Sequence, residues 1–272
     1  MKYKLIALDL DGTLKNSENK ITEETRKTLI KAQQLGAKVV LASGRPTPGL
    51  RHEAAALDLE TYEGYLLAFN GAKVMDAKTR QTMFEQCLTV EQAKKAYDEA
   101  KKHDLAILTY YDNGVYTEDV EDQYVKVEGH INDIEINKVD DFKAILRDPI
   151  NKVLCTGEPE HVASVLKEYQ DAFPGLSIYR SAPYFIEVMA PNIDKAASLD
   201  KLVKMLGLTR EEVIAFGDGY NDLSLIEYAG CGVAMNNAVD EVKEKADVVT
   251  LSNDEDGIAY MLKKLEEELR DE

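Results

Sequence analysis

Cysteine is scarce in this 272-residue sequence, which contains only three. Cys87, Cys155 and Cys231 lie far apart, with no Cys-x-x-Cys spacing and no set of histidines beside them. An odd number of scattered cysteines argues against a disulfide framework and against a cysteine-ligated zinc site. We therefore expect reduced thiols and a cytoplasmic protein.

Basic residues are also in deficit, with 33 lysines and arginines against 50 acids and a formal net charge of −17. Nucleic acids and anionic membranes both need a basic surface, so neither is a predicted partner. No apolar run approaches the roughly 20 residues that span a bilayer. The sequence enters its first predicted strand at once, so we expect no signal peptide.

The N-terminal segment joins an apolar run to a pair of carboxylates. Tyr3 to Leu8 is short and aliphatic, which predicts a buried strand of a parallel sheet, and Asp9-Leu10-Asp11-Gly12-Thr13 follows directly. Ligands collect beyond the carboxyl ends of such strands. Because strand side chains alternate, Asp9 and Asp11 are expected to face one space while Leu10 turns away. An isolated Asp-x-Asp-Gly is nevertheless more often an ordinary acidic turn.

Two further predicted strands end in the same way. Residues 37–42 run into Ser43-Gly44-Arg45, and residues 213–216 run into Gly217-Asp218-Gly219-Tyr220-Asn221-Asp222. A hydroxyl beside an accessible glycine amide suits a phosphate oxygen. Lys195 opens an amphipathic helix that ends near Gly207, although a lone helix-start lysine is usually solvated.

Alternating strands and helices predict an α/β fold with a Rossmann-like, doubly wound parallel sheet. Glycine-and-carboxylate loops are missing between residues 83 and 188, where a Thr89–Gln92 capping box opens a polar helix and residues 119–141 give no clear pattern. We therefore predict a core formed by residues 1–82 and 189–272, with an inserted α/β cap domain at 83–188.

Several short segments spread over the chain form a recognisable set. They are Asp9-Leu10-Asp11-Gly12-Thr13, Leu41-Ala42-Ser43-Gly44-Arg45, Phe69-Asn70-Gly71-Ala72, Ser181-Ala182-Pro183-Tyr184-Phe185, Glu187, Lys195 and Gly217-Asp218-Gly219-Tyr220-Asn221-Asp222. This set resembles the haloacid dehalogenase (HAD) superfamily of phosphohydrolases over essentially the whole chain. It is most similar to the Cof-type subfamily IIB and its YidA-like sugar phosphatases. Ala196 departs from the glycine that relatives often have after the motif lysine.

The resemblance implies a role for each motif residue. Asp9 would be the nucleophile that forms an aspartyl phosphate, and Asp11 would be the general acid and base. Asp9, the main-chain carbonyl of Asp11 and Asp218 would hold a metal ion, supported by Asp222. The residues implied to bind the phosphoryl group or substrate are Leu10, Ser43, Gly44, Arg45, Lys195 and Asn221.

The charges of these residues favour a divalent cation. Four aspartates, at positions 9, 11, 218 and 222, face only Lys195 and Arg45, which leaves two excess negative charges before any phosphate enters. Oxygen ligands beside phosphate suit Mg²⁺. The sequence thus predicts a Mg²⁺-dependent phosphatase of small phosphorylated metabolites, with sugar phosphates foremost.

Several alternatives stay open from the sequence. A sugar phosphomutase would use the same aspartyl phosphate, and a non-catalytic signalling module would be phosphorylated on aspartate without turnover. Substrate selection is expected from the cap, with Tyr184, Glu187 and the Asn113-Gly114 loop as candidates. The expected assembly is a monomer or a small homo-oligomer.

Overall fold

The computed structural model describes residues 2–111 and 114–271. The chain divides into two compact units. The first unit combines Met1–Gly44, Leu50–Phe84 and Asp194–Glu272, and the second combines Arg45–Gly49 and Glu85–Ile193. The domain boundaries predicted at residues 83 and 188 stay a prediction, because compactness alone does not show that a unit folds independently.

The strands are numbered in chain order. They are β1 (Leu5–Leu8), β2 (Lys38–Ala42), β3 (Tyr65–Ala68), β4 (Lys73–Asp76), β5 (Thr82–Glu85), β6 (Ala106–Tyr111), β7 (Gly114–Thr117), β8 (Glu135–Lys138), β9 (Lys152–Thr156), β10 (Ser177–Ala182), β11 (Phe185–Met189), β12 (Val213–Gly217), β13 (Cys231–Ala234) and β14 (Val248–Val249).

The helices are numbered in the same way. They are α1 (Glu23–Gln34), α2 (Arg51–Ala56), α3 (Leu59–Tyr62), α4 (Val90–Lys102), α5 (Gln123–Asn132), α6 (Phe142–Ile145), α7 (Pro159–Ala172), α8 (Lys195–Met205), α9 (Leu223–Tyr228), α10 (Asp240–Lys245) and α11 (Gly257–Asp271). Within the part of the chain that the structure describes, no helix combines the length and apolar character needed to cross a bilayer.

An eight-stranded sheet forms the centre of the first unit, in the order β14-β13-β12-β1-β2-β3-β4-β5. Neighbouring strands are parallel from β14 to β3, whereas β4 pairs antiparallel with β3. Because parallel strands share one carboxyl edge, the loops after β1, β2, β3 and β12 leave the sheet on the same side.

Burial on both faces of the sheet explains the apolar strands. Leu5 and Ala7 of β1 belong to a core cluster that includes Leu199 and Leu202 of α8. Ile6 and Leu8 point to the opposite face and are fully buried as well. The predicted α/β class with a largely parallel central sheet is confirmed.

The second unit is built on a separate six-stranded sheet, in the order β10-β11-β9-β6-β7-β8. Its core cluster joins Ile107 and Val153 of the sheet to Ala93 of α4 and Val162 of α7. The predicted capping box is present, since Thr89 accepts from the Gln92 amide and the Gln92 side chain accepts from the Thr89 amide. This cap fixes the start of α4.

Residues 119–141, which gave no clear pattern, contain α5 and β8. Asp122 caps helix α5, because its carboxylate accepts hydrogen bonds from the backbone N–H groups of Tyr124 and Val125. Strand β8 lies at the edge of its sheet, where one pairing partner suffices. Edge strands need little apolar sequence, which explains why the periodicity was weak here.

Candidate active site

The loop after β1 places Asp9 at the carboxyl edge of the central sheet. The Asp9 amide donates to the carbonyl of Phe216, 3.0 Å away at the end of β12. The amides of Leu14 and Lys15 then donate back to the carbonyls of Asp9 and Leu10, at 3.2 and 2.9 Å, and so close a tight turn. Asp9 is buried and Asp11 is exposed on this turn.

Gly12 allows the first loop to approach Asp218 closely. A Cβ atom at Gly12 would lie 2.4 Å from Asp218 Oδ2, and the backbone φ of +85° is one that side chains disfavour. The neighbouring Thr13 hydroxyl donates to Asp218 Oδ1 at 2.7 Å. Asn237 adds a third link by donating from Nδ2 to the Gly12 carbonyl at 2.8 Å. The loops after β1 and β12 therefore hold each other in place.

Lys195 lies at the first position of α8, where Asp194 caps the helix by accepting from the Ala197 amide. Its Nζ is 2.6 Å from Asp9 Oδ1 and 2.6 Å from Asp222 Oδ1. The side chains of Lys195 and Asp222 have no exposed surface, and that of Asp9 is 8% exposed. Lys195 is thus a buried ion-pair partner and not a solvated lysine.

Asp222 organises the loop after β12. Its Oδ2 accepts from the backbone N–H groups of Asp218 and Gly219 at 3.1 and 3.0 Å, while its Oδ1 accepts from Lys195. Both oxygens are therefore engaged by protein donors. This pattern fits a residue that shapes the loop around Asp218.

Asp9, Asp218 and Asp222 form an acidic cluster that could hold a metal ion, since one carboxylate oxygen from each lies within 4.8 Å of the others. Because the oxygens of Asp222 already accept from Lys195 and the loop, Asp9 and Asp218 are the more available ligands. Hard carboxylate oxygens are the donor set that Mg²⁺ prefers. The residues present fit such an ion.

Burial and mutual repulsion perturb the charges of this cluster. Burial, reinforced by Asp222, raises the pKa of Asp9 to about 8 despite the opposing effect of Lys195. Burial also raises the pKa of Asp218. Burial disfavours the ammonium of Lys195, yet the pKa of that lysine is raised because Asp9 and Asp222 both favour its charge. Three carboxylates and one ammonium leave the cluster short of positive charge.

This imbalance predicts a pH-dependent difference in stability between the wild type and Asp9→Asn. In the presence of a chelator, the free energy of unfolding of the wild type should fall relative to that of the variant as the pH rises. A pKa raised on folding contributes stability that is complete below the unfolded value and lost as the pH rises through the folded value. For Asp9 that window runs from 3.8 to about 8. Urea unfolding of both proteins across this range measures the difference, whose slope is at most about 1.4 kcal/mol per pH unit. Parallel stability curves would contradict the prediction.

Ser43 and Gly44 follow β2 and are braced by the loop after β3. The Ser43 amide donates to the Leu67 carbonyl, and the Ser43 carbonyl accepts from the Asn70 amide, both at 2.9 Å. A Cβ atom on Gly44 would lie 3.2 Å from the Asn70 side-chain amide. Asn221 Nδ2 donates to Asn70 Oδ1 at 3.3 Å. Asn70 thus connects two of the predicted site segments.

For two further predicted substrate-binding residues, Arg45 and Leu10, the substrate-binding role stays a prediction. Arg45 is grouped with the second unit, where its Nη1 donates to the Ile131 carbonyl at 2.7 Å. Leu10 is fully buried, and its carbonyl accepts from the Lys15 amide.

Thr13, Asn70 and Asn237 were not predicted to be site residues. Thr13 and Asn70 did lie in segments that carried the family resemblance, at the ends of predicted strands. Asn237 had no such signal, since it lies beyond β13 and reaches Gly12 only through the fold.

Known proteins share this fold. A family model described as haloacid dehalogenase-like hydrolase matches residues 6–262. A solved haloacid dehalogenase-like hydrolase from Bacteroides thetaiotaomicron is 43% identical, with a TM-score of 0.94, and the match covers 97% of this chain and 99% of that one. A solved HAD subclass IIB sugar phosphatase is 25% identical, with a TM-score of 0.80, and the match covers 96% and 98% of the two chains.

A curated relative of the chain is named as a phosphatase. The 5-amino-6-(5-phospho-D-ribitylamino)uracil phosphatase YcsE of Bacillus subtilis is 34% identical over 265 residues, which cover 96% of this chain and 94% of the relative. Fold and site together define an α/β enzyme with its acids at the carboxyl ends of parallel strands. The chain belongs to the haloacid dehalogenase-like hydrolases and is a phosphatase, a hydrolase of phosphoric monoesters.

Proposed function

We propose that the chain is a Mg²⁺-dependent phosphatase of small phosphorylated metabolites, with sugar phosphates foremost, that works through an aspartyl phosphate on Asp9. The observation that carries the proposal is the buried contact of Asp9 with Lys195 beside Asp218. A carboxylate that attacks phosphorus must be ionised and aimed. The Lys195 ammonium aims Asp9 and opposes the rise in its pKa that burial and Asp222 cause, and a bound cation would lower that pKa further.

Asp9 is the proposed nucleophile. Lys195 holds Oδ1, and Oδ2 is proposed as the attacking atom. In the first step the Oδ2–phosphorus bond forms as the bond from phosphorus to the leaving oxygen breaks. The proposed ligands of the phosphoryl oxygens are the Ser43 hydroxyl, the Gly44 amide, Lys195, the Leu10 main chain and Asn221, whose donors neutralise charge in the transition state.

Asp11 is the proposed general acid and base. It lies two residues beyond Asp9 on the same turn and is exposed, so it can reach the leaving group. Its carboxyl proton passes to the departing alkoxide in the first step. In the second step Asp11 takes a proton from water, whose oxygen attacks the phosphorus of the aspartyl phosphate. Inorganic phosphate leaves and the Asp9 carboxylate is regenerated.

Asp9, Asp218 and the Asp11 main-chain carbonyl are the proposed metal ligands, with Asp222 as support for the loop. Mg²⁺, when bound, neutralises the excess carboxylate charge and that of the phosphoryl group. Asp222 keeps Asp218 in place through the two backbone N–H groups described above.

Substrate selection is proposed for the second unit. Glu187 accepts from Lys152 Nζ at 3.1 Å and from the Tyr179 hydroxyl at 2.9 Å, and Tyr184 stacks on Tyr124 with ring centroids 4.7 Å apart. Buried charge pairs and aromatic faces suit polar, ring-containing metabolites. Of the remaining candidate, the Asn113-Gly114 loop, Asn113 lies outside the described residues and Gly114 is the first residue of β7.

The test is phosphate release from a panel of sugar phosphates, the phosphoribitylamino-uracil substrate named for YcsE, nucleotides and an aryl phosphate. Turnover is expected with Mg²⁺, lost in a chelator and restored by added Mg²⁺. Release without any metal would overturn the Mg²⁺ proposal. A sugar phosphate isomerised without phosphate release would favour the mutase, and a long-lived phosphoprotein without turnover would favour the signalling module.

A further inference from the structure

A second buried ion pair lies in the first unit, between Lys15 and Glu53. Lys15 Nζ is 3.1 Å from Glu53 Oε1, and both side chains are 6% exposed. Lys15 ends the turn that carries Asp11, whereas Glu53 lies on α2. The pair thus joins the turn after β1 to the helix that follows the Ser43-Gly44 loop in sequence.

The backbone of Lys15 is tied to the turn itself. Its amide donates to the Leu10 carbonyl at 2.9 Å, and Asp11 and Lys15 form an isolated β-bridge. Its carbonyl accepts from Asn253 Nδ2 at 2.9 Å. Any displacement of Lys15 therefore moves the backbone on which Asp11 sits.

The second carboxylate oxygen of Glu53, Oε2, is buried and lacks a hydrogen-bond partner among the described residues. Burying two charges costs more than burying apolar side chains of similar volume, and an unsatisfied carboxylate oxygen increases that cost. Stability alone would be served better by an apolar pair at these positions. The ion pair instead adds geometric specificity, because a charged hydrogen bond restricts the distance and angle between the two elements that it joins.

We propose that Lys15 and Glu53 are positioning residues that hold the Asp11 turn where its carboxyl group can protonate the leaving oxygen. The inference rests on the proposed function, in which Asp11 is the general acid. A general acid acts only within hydrogen-bond reach of the atom that it protonates, and small displacements reduce its effect steeply.

Leaving-group dependence tests this role. An alkoxide leaving group, as in a sugar phosphate, needs a proton, whereas an aryl oxyanion departs without one. In the double variant Lys15→Met/Glu53→Leu, kcat/KM for a sugar phosphate is expected to fall about tenfold while that for an aryl phosphate stays within about twofold. Glu53→Gln, which keeps an acceptor for Lys15 but removes its counter-charge, is expected to lower stability while leaving the sugar phosphate value per folded molecule within about twofold of the wild type.

Two controls make the result specific. Val74→Ala removes buried apolar volume in the same unit without touching the turn, so it should change kcat/KM for both substrates by the same factor. Asp11→Asn should show the largest loss confined to the sugar phosphate. If the double variant does not fold, Glu53→Asp, which shortens the side chain and keeps its charge, is expected to give a smaller loss confined to the same substrate.

The failures are distinguishable. Equal losses on both substrates, or none on the sugar phosphate, in a double variant that folds would overturn the positioning role while the phosphatase function stands. No turnover by the wild type, or no leaving-group effect of Asp11→Asn, would overturn the proposed function itself.

Discussion

Replacement of Asp9 by Asn is expected to lower kcat for every substrate of the enzyme by about 10⁴-fold or more, the scale seen when a catalytic nucleophile is removed. The amide oxygen can still accept the hydrogen bond that Lys195 now donates to Oδ1, so the fold around it should persist. What disappears is the proposed nucleophilic oxygen, Oδ2 of Asp9. At neutral pH the metal-free variant should unfold at the same urea concentration as the wild type or a higher one, because the Asp9 carboxyl must take up a proton on folding and the Asn amide does not.

Steady-state phosphate release measures the loss of kcat, and mass spectrometry after an acid quench detects the phosphorylated enzyme. The wild type should gain the mass of one phosphoryl group on the peptide that contains Asp9 during turnover, and the variant should not. Asp58→Asn is a matched control, since Asp58 is exposed in the same unit and has a left-handed backbone that asparagine adopts readily. A phosphorylated Asp9→Asn protein would exclude Asp9 as the nucleophile.

Replacement of Lys195 by Met is expected to impair both folding and catalysis. The change removes the ammonium between Asp9 and Asp222 and leaves two buried carboxylates facing each other. Breaking a buried ion pair from one side costs about 3 kcal/mol or more of the free energy of unfolding. Since Lys195 is a proposed ligand of the phosphoryl group, its loss is also expected to lower kcat by about 10²-fold to 10³-fold.

Leu202→Ala separates these two effects. Leu202 is buried on the same helix α8, and its truncation costs about 2–5 kcal/mol without removing charge. Urea unfolding should therefore show a similar loss of stability in both variants. The kcat per folded molecule should fall strongly only in Lys195→Met. Equal kcat in the two variants would mean that Lys195 serves the fold alone.

The strand ends could be predicted because they depend on local sequence. The apolar run before Asp9 and the Asp-Gly turn after it identify a buried strand and its loop without any knowledge of the rest of the chain. The helix start at Thr89 could be predicted for the same reason, since a cap involves residues three positions apart. The proposed catalytic roles came from the resemblance and stay a prediction.

What could not be predicted depends on contacts between distant segments. The sequence indicates that Lys195 opens a helix, but its burial between two carboxylates follows from the packing of α8. The Lys15–Glu53 pair has no sequence signal, because each residue alone resembles an ordinary surface charge. The link from Asn70 to Asn221 likewise exists only once the loops after β3 and β12 share an edge.

The position of β1 between β2 and β12 sets the order in which this enzyme can become active during synthesis. The ribosome delivers Asp9 first, yet Lys195 follows 186 positions later, and the strand that receives the Asp9 amide comes later still. Domains form as their segments emerge from the ribosome. Until the last third of the chain is made, Asp9 has neither its ammonium partner nor Asp218, so a nascent or prematurely terminated chain lacks the complete proposed active site.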